Sequence, residues 1–323
     1  MKNIKKNEYR EFCLNEKNIP IFSKDWWLDS VCGTDNWDVA LVKKNKQIVG
    51  SLPYYKKKKF TFQLISMPNL TQQLGPYFVY PKNQKYNQKL SFEKQIINEL
   101  ISQLPRFDYF NQSLHYSIEN WLPFYWLGYD STTYYSYIID DLTNLDNVFN
   151  NLTSSYRNKI KKAQKIVKIK KGLSVEDFYE INRMTFERQN IKIPYSLEFF
   201  KKHDNYLSKH KSREIFYAVD DTNQVHSALY LTWDSNSSYV HIVGENPDLR
   251  NSGAGILAIW EAIKFTKNEL LLNNFDFEGS VIEQVERVRR GFGAKQKPYF
   301  NINICKSFLL KIILHLKIIL SRQ

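Results

Sequence analysis

The chain of 323 residues carries a net charge of +13, is 43% hydrophobic and 15% aromatic, and holds three cysteines. Its length leaves room for two domains, and its apolar and aromatic content excludes a disordered or low-complexity chain. Cys13, Cys32 and Cys305 lie far apart with no CxxC spacing, and the histidines show no metal-ligand spacing; this argues against a disulfide scaffold or structural zinc and for a reduced, cytoplasmic protein.

The positive charge fits a polyanionic partner: nucleotide phosphates, tRNA or an anionic membrane surface. Charge alone does not choose among these. The opening MKNIKKNEYREF is polar and lacks an apolar h-region, so no signal peptide is expected. No apolar run reaches membrane-spanning length without a charge.

Taken in order, residues 24–33 read as a short helix with Trp26, Trp27 and Val31 on its apolar side. WDVALV and QIVGSLPYY read as a hairpin joined by the polar turn KKNK, and a third strand follows at Phe60–Ser66. PNLTQQLG is a loop, PYFVY a strand and PKNQKYNQK a polar connection. SFEKQIINELISQL reads as a helix capped by Ser91, with Phe92, Ile96, Ile97, Leu100 and Ile101 on one face. FDYF and YYSYIID are strands.

LDNVFNNLTSSYRNKIKKAQKI reads as one helix with Leu145, Val148, Phe149, Leu152, Tyr156 and Ile160 near one face. Arg157, Lys159, Lys161, Lys162, Lys165, Lys168, Lys170 and Lys171 follow without an intervening acid. Such a run is more often a solvated helical face than a phosphate-facing patch. Ser174 and Asp177 open the next helix with a capping-box-like pair, Val175, Phe178, Ile181 and Phe186 mark its core side, and Arg188, Gln189 and Asn190 end it. REIFYAVDDTNQVHSALYLTW is strand, polar turn, strand; YVHIVGE is a strand, GILAIWEAIKFTKNEL a helix, and NNFDFE and PYFNINI are strands.

The second half repeats the first. VKKNKQIVGSL from Val42 lines up without a gap on VDDTNQVHSAL from Val219; Phe107–Phe110 matches Phe275–Glu278; Gly128 and Tyr134 match Gly293 and Tyr299 at equal spacing. Three matches in the same order imply two copies of one mixed α/β unit. The copies differ between strand YVHIVGE and the following helix. There the second copy has RNSGAG, Arg250 to Gly255, and the first has PKNQKYNQK, which contains no glycine. A strand, a glycine-bearing loop and a helix N-terminus aim backbone N–H groups at a phosphate. A surface turn is the alternative reading of so short a pattern.

Arg-x-x-Gly-x-Gly after a strand resembles the pyrophosphate loop of the GNAT N-acyltransferases. SYRNKIKKAQK, TFERQN, FDFEGS and RRGFGAKQKPYF, with PNLTQQLG and NWLPFYW in the first half, resemble the Fem-type (FemAB-like) branch of that superfamily over about Ile19 to Ile304. The resemblance implies a mixed α/β fold of two tandem GNAT-like domains, each a mixed, mostly antiparallel sheet flanked by helices. On this reading residues 1–143 form a degenerate acceptor-side domain, residues 144–305 an acyl-coenzyme A domain, and residues 306–323 a basic apolar tail. It further implies a cytoplasmic, acyl-coenzyme A-dependent N-acyltransferase acting on the amine of a nucleotide-linked (dTDP- or UDP-) amino sugar for surface polysaccharide. No metal and no DNA partner are expected. The branch also contains aminoacyl-tRNA-dependent enzymes of peptidoglycan cross-bridges. The chain departs from those in lacking a long coiled-coil insertion and in keeping RNSGAG. An inactive tandem GNAT that binds RNA or a membrane surface is the non-enzyme alternative.

Direct attack of an amine on a thioester needs no enzyme nucleophile, so the lack of a Ser–His–Asp or Cys–His pattern is expected. Ile242, Val243 and Gly244 are the candidate strand contacts of the donor and its oxyanion. Arg250, Asn251, Ser252, Gly253, Ala254 and Gly255 are the candidate diphosphate contacts. Glu278 is the candidate base, because its counterpart Phe110 shows that the repeat does not demand a carboxylate there. A carboxylate capping the segment after Gly279 is its structural alternative. Arg188, Gln189, Ser280 and Glu283 are candidate acceptor contacts, and Tyr299, matched by Tyr134, is read as core. The tail KSFLLKIILHLKIILSRQ is too short and too charged to span a bilayer. It is either a terminal helix packed on the body or a basic helix lying on a membrane surface.

Overall fold

A computed structural model of the chain describes residues 4–320. Two compact units divide it: one runs to Tyr134 and takes back the stretch from Pro298, and the other spans Tyr135–Lys297.

The first unit opens with helices α1 (Ile4–Asn15) and α2 (Asp25–Cys32), tied by Arg10, which pairs with Asp25 and Asp29. Strands β1 (Trp37–Lys44) and β2 (Gln47–Lys59) form the expected hairpin. Its turn residues Asn45 and Lys46 both have positive φ, the geometry that matches the strand twist. β3 (Phe62–Ser66) pairs antiparallel with β2 on the side away from β1, and the two-residue β4 (Tyr77–Phe78) joins β2 on that same side. Helix α3 (Tyr86–Ser102) carries the chain over the sheet to β5 (Tyr109–Ser113), which runs parallel to β3, and α4 (Leu122–Trp126) follows. The apolar face read from sequence is buried: Phe92, Ile96, Ile97 and Leu100 pack on Ala40, Leu52, Ile65 and Phe110. The expected cap is corrected. α3 starts before Ser91, at Lys85, whose N–H donates to the Gln88 side chain. Half of the polar connection is therefore helix, because solvent-facing polar residues leave no periodic signal.

The second unit opens with the end of β6 (Asp130–Ile139) and helices α5 (Leu145–Asn151) and α6 (Ser154–Ala163). The sequence pointed to one helix here; the break falls at Leu152 and Thr153, both in extended backbone. The last lysines of the basic run lie not on a helix but in the edge strand β7 (Lys168–Lys171). Helix α7 (Val175–Glu187) begins as expected, with the Ser174 hydroxyl accepting from Asp177 N at 3.0 Å and donating to the Asp177 carboxylate at 2.7 Å. Helix α8 (Leu197–Lys209) was not anticipated. β8 (Arg213–Val219), β9 (Val225–Trp233) and β10 (Ser238–Glu245) form an antiparallel meander, with β7 on β8. A 3-10 turn, Pro247–Ser252, leads to α9 (Ala254–Asn268) and then to the two-residue β11 (Phe275–Asp276), parallel to β10. Helix α10 (Glu283–Gly291) ends the unit. Its core holds Ile160, Leu229, Leu231, Leu257, Trp260, Ile263, Phe275 and Phe277.

The two units thus share one plan: a hairpin, a third strand, a helix, and a strand returning parallel to the third. That is the repeat read from sequence. Each sheet is closed by one more antiparallel strand. In the first unit it is β12 (Lys295–Cys305), running from Asn301 opposite Ser113 to Cys305 opposite Tyr109. In the second it is β6, with Ile139 opposite Phe275. The strands matched through Gly128–Tyr134 and Gly293–Tyr299 therefore close opposite units, whereas the sequence grouped β12 with the second half. A sequence match makes two strands equivalent; it does not say which sheet edge each one completes. Helix α11 (Phe308–Leu320) follows β12. No helix among the described residues is long and apolar enough to cross a membrane.

Candidate active site

Strands β10 and β11 pair only at Ser238–Phe275 and Tyr239–Asp276, and β10 continues alone to Glu245. Past that point β11 has ended. A cavity of about 620 Å³ opens there, lined among others by His241 and Val243 of β10, Tyr156 and Lys159 of α6, Arg188 and Gln189 after α7, the loop at Arg250 and Gly253, and Val285 and Arg289 of α10.

A bulge at His241 interrupts the β9–β10 register, the kind of local twist that re-aims a side chain. His241 Nδ1 lies 2.9 Å from Glu278 Oε1. A carboxylate there holds the imidazole hydrogen on Nδ1. His241 and Phe277 line the cavity, whereas the buried Glu278 reaches it only through its contact with His241. The φ of Glu278 is +53°, and its N–H donates to Asp276 Oδ1 at 2.8 Å. The capping alternative is excluded: α10 begins after Ile282, and Glu278 faces His241 instead. Behind His241 lies the fully buried His203 of α8, ring centroids 5.6 Å apart. Burial first, then the neighbouring His241, pushes the His203 pKa well below the usual imidazole range, so that ring is neutral. Asp276 is buried beneath Glu278, accepts from Ser136 Oγ, and has its pKa raised to about 7, chiefly by desolvation.

Val243 is placed as expected, and Ile242 and Gly244 are not. Asn246 N donates to His226 O, and antiparallel pairs alternate, so Gly244 (opposite Ala228) and Ile242 (opposite Tyr230) also turn their polar groups to β9. Val243 and Glu245 turn theirs to the edge away from β9. There α7 takes two of them: Asn182 Nδ2 donates to Val243 O at 3.0 Å, and Glu245 N donates to Thr185 Oγ1 at 2.8 Å. Val243 N–H is the outward donor that remains on this stretch. Gly244 serves packing, because a Cβ there would come within 2.8 Å of the Asn182 backbone nitrogen in α7.

In the loop, Arg250, Asn251, Gly253 and Gly255 line the cavity, and Ser252 and Ala254 do not. Ser252 Oγ donates to Leu249 O and accepts from Ala254 N, and Gly253 N donates to Arg250 O. Those donors are spent inside the loop. The Ile256 and Leu257 N–H groups both donate to Gly253 O, which leaves Gly255 N–H on the first turn of α9. A carboxylate already stands there. Glu245 Oε1 lies 2.8 Å from the position of a Gly255 Cβ, and Arg250 Nε donates to Glu245 Oε2 at 2.9 Å. The basic helix borders the same loop: Lys162 Nζ donates to Asn251 O at 3.0 Å.

Of the expected acceptor contacts, Arg188 and Gln189 line the cavity. Ser280 instead caps the turn into α10 by accepting from Ile282 N, and Glu283 points to solvent, paired with Arg287. Their neighbours Gln284 and Val285 line the cavity, one helical step round. Tyr299 is core of the first unit, its hydroxyl accepting from Gln72 Nε2. His241 was missed, since a lone histidine in a strand carries no signal of its partner.

No protein-family model matches the chain, and no curated protein matches its sequence. Solved structures do match. "Crystal structure of FemX" aligns at a TM-score of 0.69 and 12% identity over 92% of this chain and 96% of that one. "The structure of L-PGS from Bacillus licheniformis" aligns at 0.54 and 10%, over 98% and 97%. A tandem GNAT protein from the clavulanic acid biosynthesis pathway aligns at 0.51 and 8%, over 93% of both chains. The chain thus has the tandem GNAT, Fem-like fold. At these identities the likeness extends to fold alone.

Proposed function

We propose that the protein is an N-acyltransferase that moves an acyl group from acyl-coenzyme A to the amine of a nucleotide-linked amino sugar. The observation that carries this is the cavity beside β10 beyond the end of its pairing with β11, with the glycine loop bordering it and His241, the partner of Glu278, in its lining. In this reading the donor's pantetheine arm lies along the open edge of β10. Its diphosphate meets Gly255 N–H and Arg250 once Arg250 leaves Glu245. Val243 N–H stabilises the oxyanion of the tetrahedral intermediate. Glu278, its Oε1 held by His241, takes a proton from the amine through its other oxygen. The C–N bond forms, the C–S bond breaks, and the coenzyme A thiolate leaves and is protonated. Arg188 and Gln189 bind substrate. The amino-sugar acceptor rests on the motif resemblance, and with it the role in surface polysaccharide.

A second reading takes aminoacyl-tRNA as donor and a peptidoglycan precursor as acceptor. One observation favours it: the Glu245 carboxylate stands where a diphosphate would sit, while the basic helix α6 borders the loop. Purified protein is offered acetyl- or longer acyl-coenzyme A with dTDP- and UDP-amino sugars, and free thiol is measured. Thiol release that depends on the amino sugar supports the first reading. No release with any of them, but transfer from charged tRNA that falls steeply with salt, supports the second.

A further inference from the structure

Helix α11 presents apolar side chains on both of its sides. Leu310 and Leu314 are half-buried. Phe308, Leu309, Ile312, Ile313 and Leu316 are exposed, Phe308 at 79% and Leu316 at 54%. Those five recur at the spacing of a single helical stripe. A terminal helix that merely packed on the body would turn polar residues outward. Its start is fixed to the unit: Lys306 N donates to Asp108 O at 2.8 Å, and the Ser307 hydroxyl accepts from Leu310 N at 3.3 Å.

We propose that this stripe docks the protein onto the surface of a bilayer that carries acidic lipids. Charge complementarity selects the occupant. From Pro298 to the end the sequence has Lys306, Lys311, Lys317 and Arg322 and no acidic residue. Basic residues flanking an apolar stripe attract anionic headgroups. A second copy of the same helix would bring those cations together, which opposes self-association. The helix has 13 residues, about 20 Å at 1.5 Å per residue, against about 30 Å for a bilayer core, so it lies on the surface and does not cross.

The test is cosedimentation of the full chain with phosphatidylcholine vesicles, with and without about 30% phosphatidylglycerol. Acidic vesicles should bring down at least about tenfold more protein, and salt should reverse part of the gain. Phe308→Ser/Ile312→Ser should lose the effect while thiol release from soluble substrates, or the circular dichroism spectrum if no substrate is known, stays unchanged. Equal sedimentation with both vesicle types overturns the proposal. So does binding that survives the double substitution. A dimer that the substitution dissociates, without vesicle binding, would instead assign the stripe to a second copy.

Discussion

Glu278 adopts φ +53° with a glycine next to it, and a left-handed conformation costs a non-glycine residue on the order of 1 kcal/mol. What retains the glutamate is its carboxylate, which faces His241 Nδ1, while the Glu278 N–H donates to the Asp276 carboxylate. Glu278→Gln keeps the backbone and the shape but cannot take a proton. Turnover should fall by about a hundredfold with donor binding kept; a loss under about threefold would reduce Glu278 to a binding residue. Beneath it, Asp276 makes a pH-dependent contribution with a definite sign. Its folded pKa is raised to about 7, while the unfolded value is about 3.9. Between these the folded state holds a proton that the unfolded state has lost, so stability falls as pH rises from about 4 to about 7 and levels off above. Asn keeps an acceptor for Ser136 and Glu278 N but does not titrate. Chemical denaturation of wild type and Asp276→Asn across that window should therefore differ by a slope of this sign. Parallel curves would mean that Asp276 ionises normally in the folded protein.

At the scale of elements, the loop and its two neighbours form one device. Lys162 of α6 donates to the Asn251 carbonyl, Glu245 at the end of β10 reaches over Gly255, and Arg250 bridges back to Glu245. Glu245→Gln removes one negative charge beside the donor anion and frees Arg250. If the donor carries a diphosphate here, its Michaelis constant should fall by about threefold to tenfold. A rise would show that Glu245 holds Arg250 in its working position. This arrangement also defines what could be read in advance. The strand, the loop and α9 were legible, because a glycine-bearing segment between a period-2 and a period-3.6 pattern leaves few alternatives. Glu278 was legible as a departure from the repeat. The phase of β10 was not: whether Val243 or Gly244 turns its N–H outward depends on the bulge at His241 and on pairing with β9, which no local pattern records. The Glu245–Arg250 pair and the approach of α6 were hidden for the same reason, since each joins segments by tertiary geometry. α8 was missed although Ser196 caps it and Phe200 and Leu207 lie on its buried side, because its charged residues interrupt the stripe.

At the scale of the whole molecule, the closing strands decide where the chain can be cut. A cut at the boundary read from sequence yields 144–305. That piece loses Tyr137, Ile139 and Leu142, all buried in the second core, and with Ile138 and Ile139 the strand that covers β11. It keeps all of β12, whose partner β5 is gone. Burial of each such side chain is worth roughly 1.5–3 kcal/mol. Three of them amount to about 5 kcal/mol or more, comparable with the whole stability of an ordinary domain. The bared β11 edge and the unpaired β12 are in addition sites for aggregation. A cut at the spatial boundary yields 135–297, which retains the three core residues, the covering strand, the loop and the His241–Glu278 pair. The expected outcome is that 135–297 is soluble and unfolds in one cooperative transition, whereas 144–305 aggregates or shows no transition. Expression of both fragments with thermal melts followed by circular dichroism makes the comparison. A cooperative melt of 144–305 close to that of 135–297 would show that the strand exchange is not needed for folding, and that the second half is self-sufficient as the sequence repeat alone suggests.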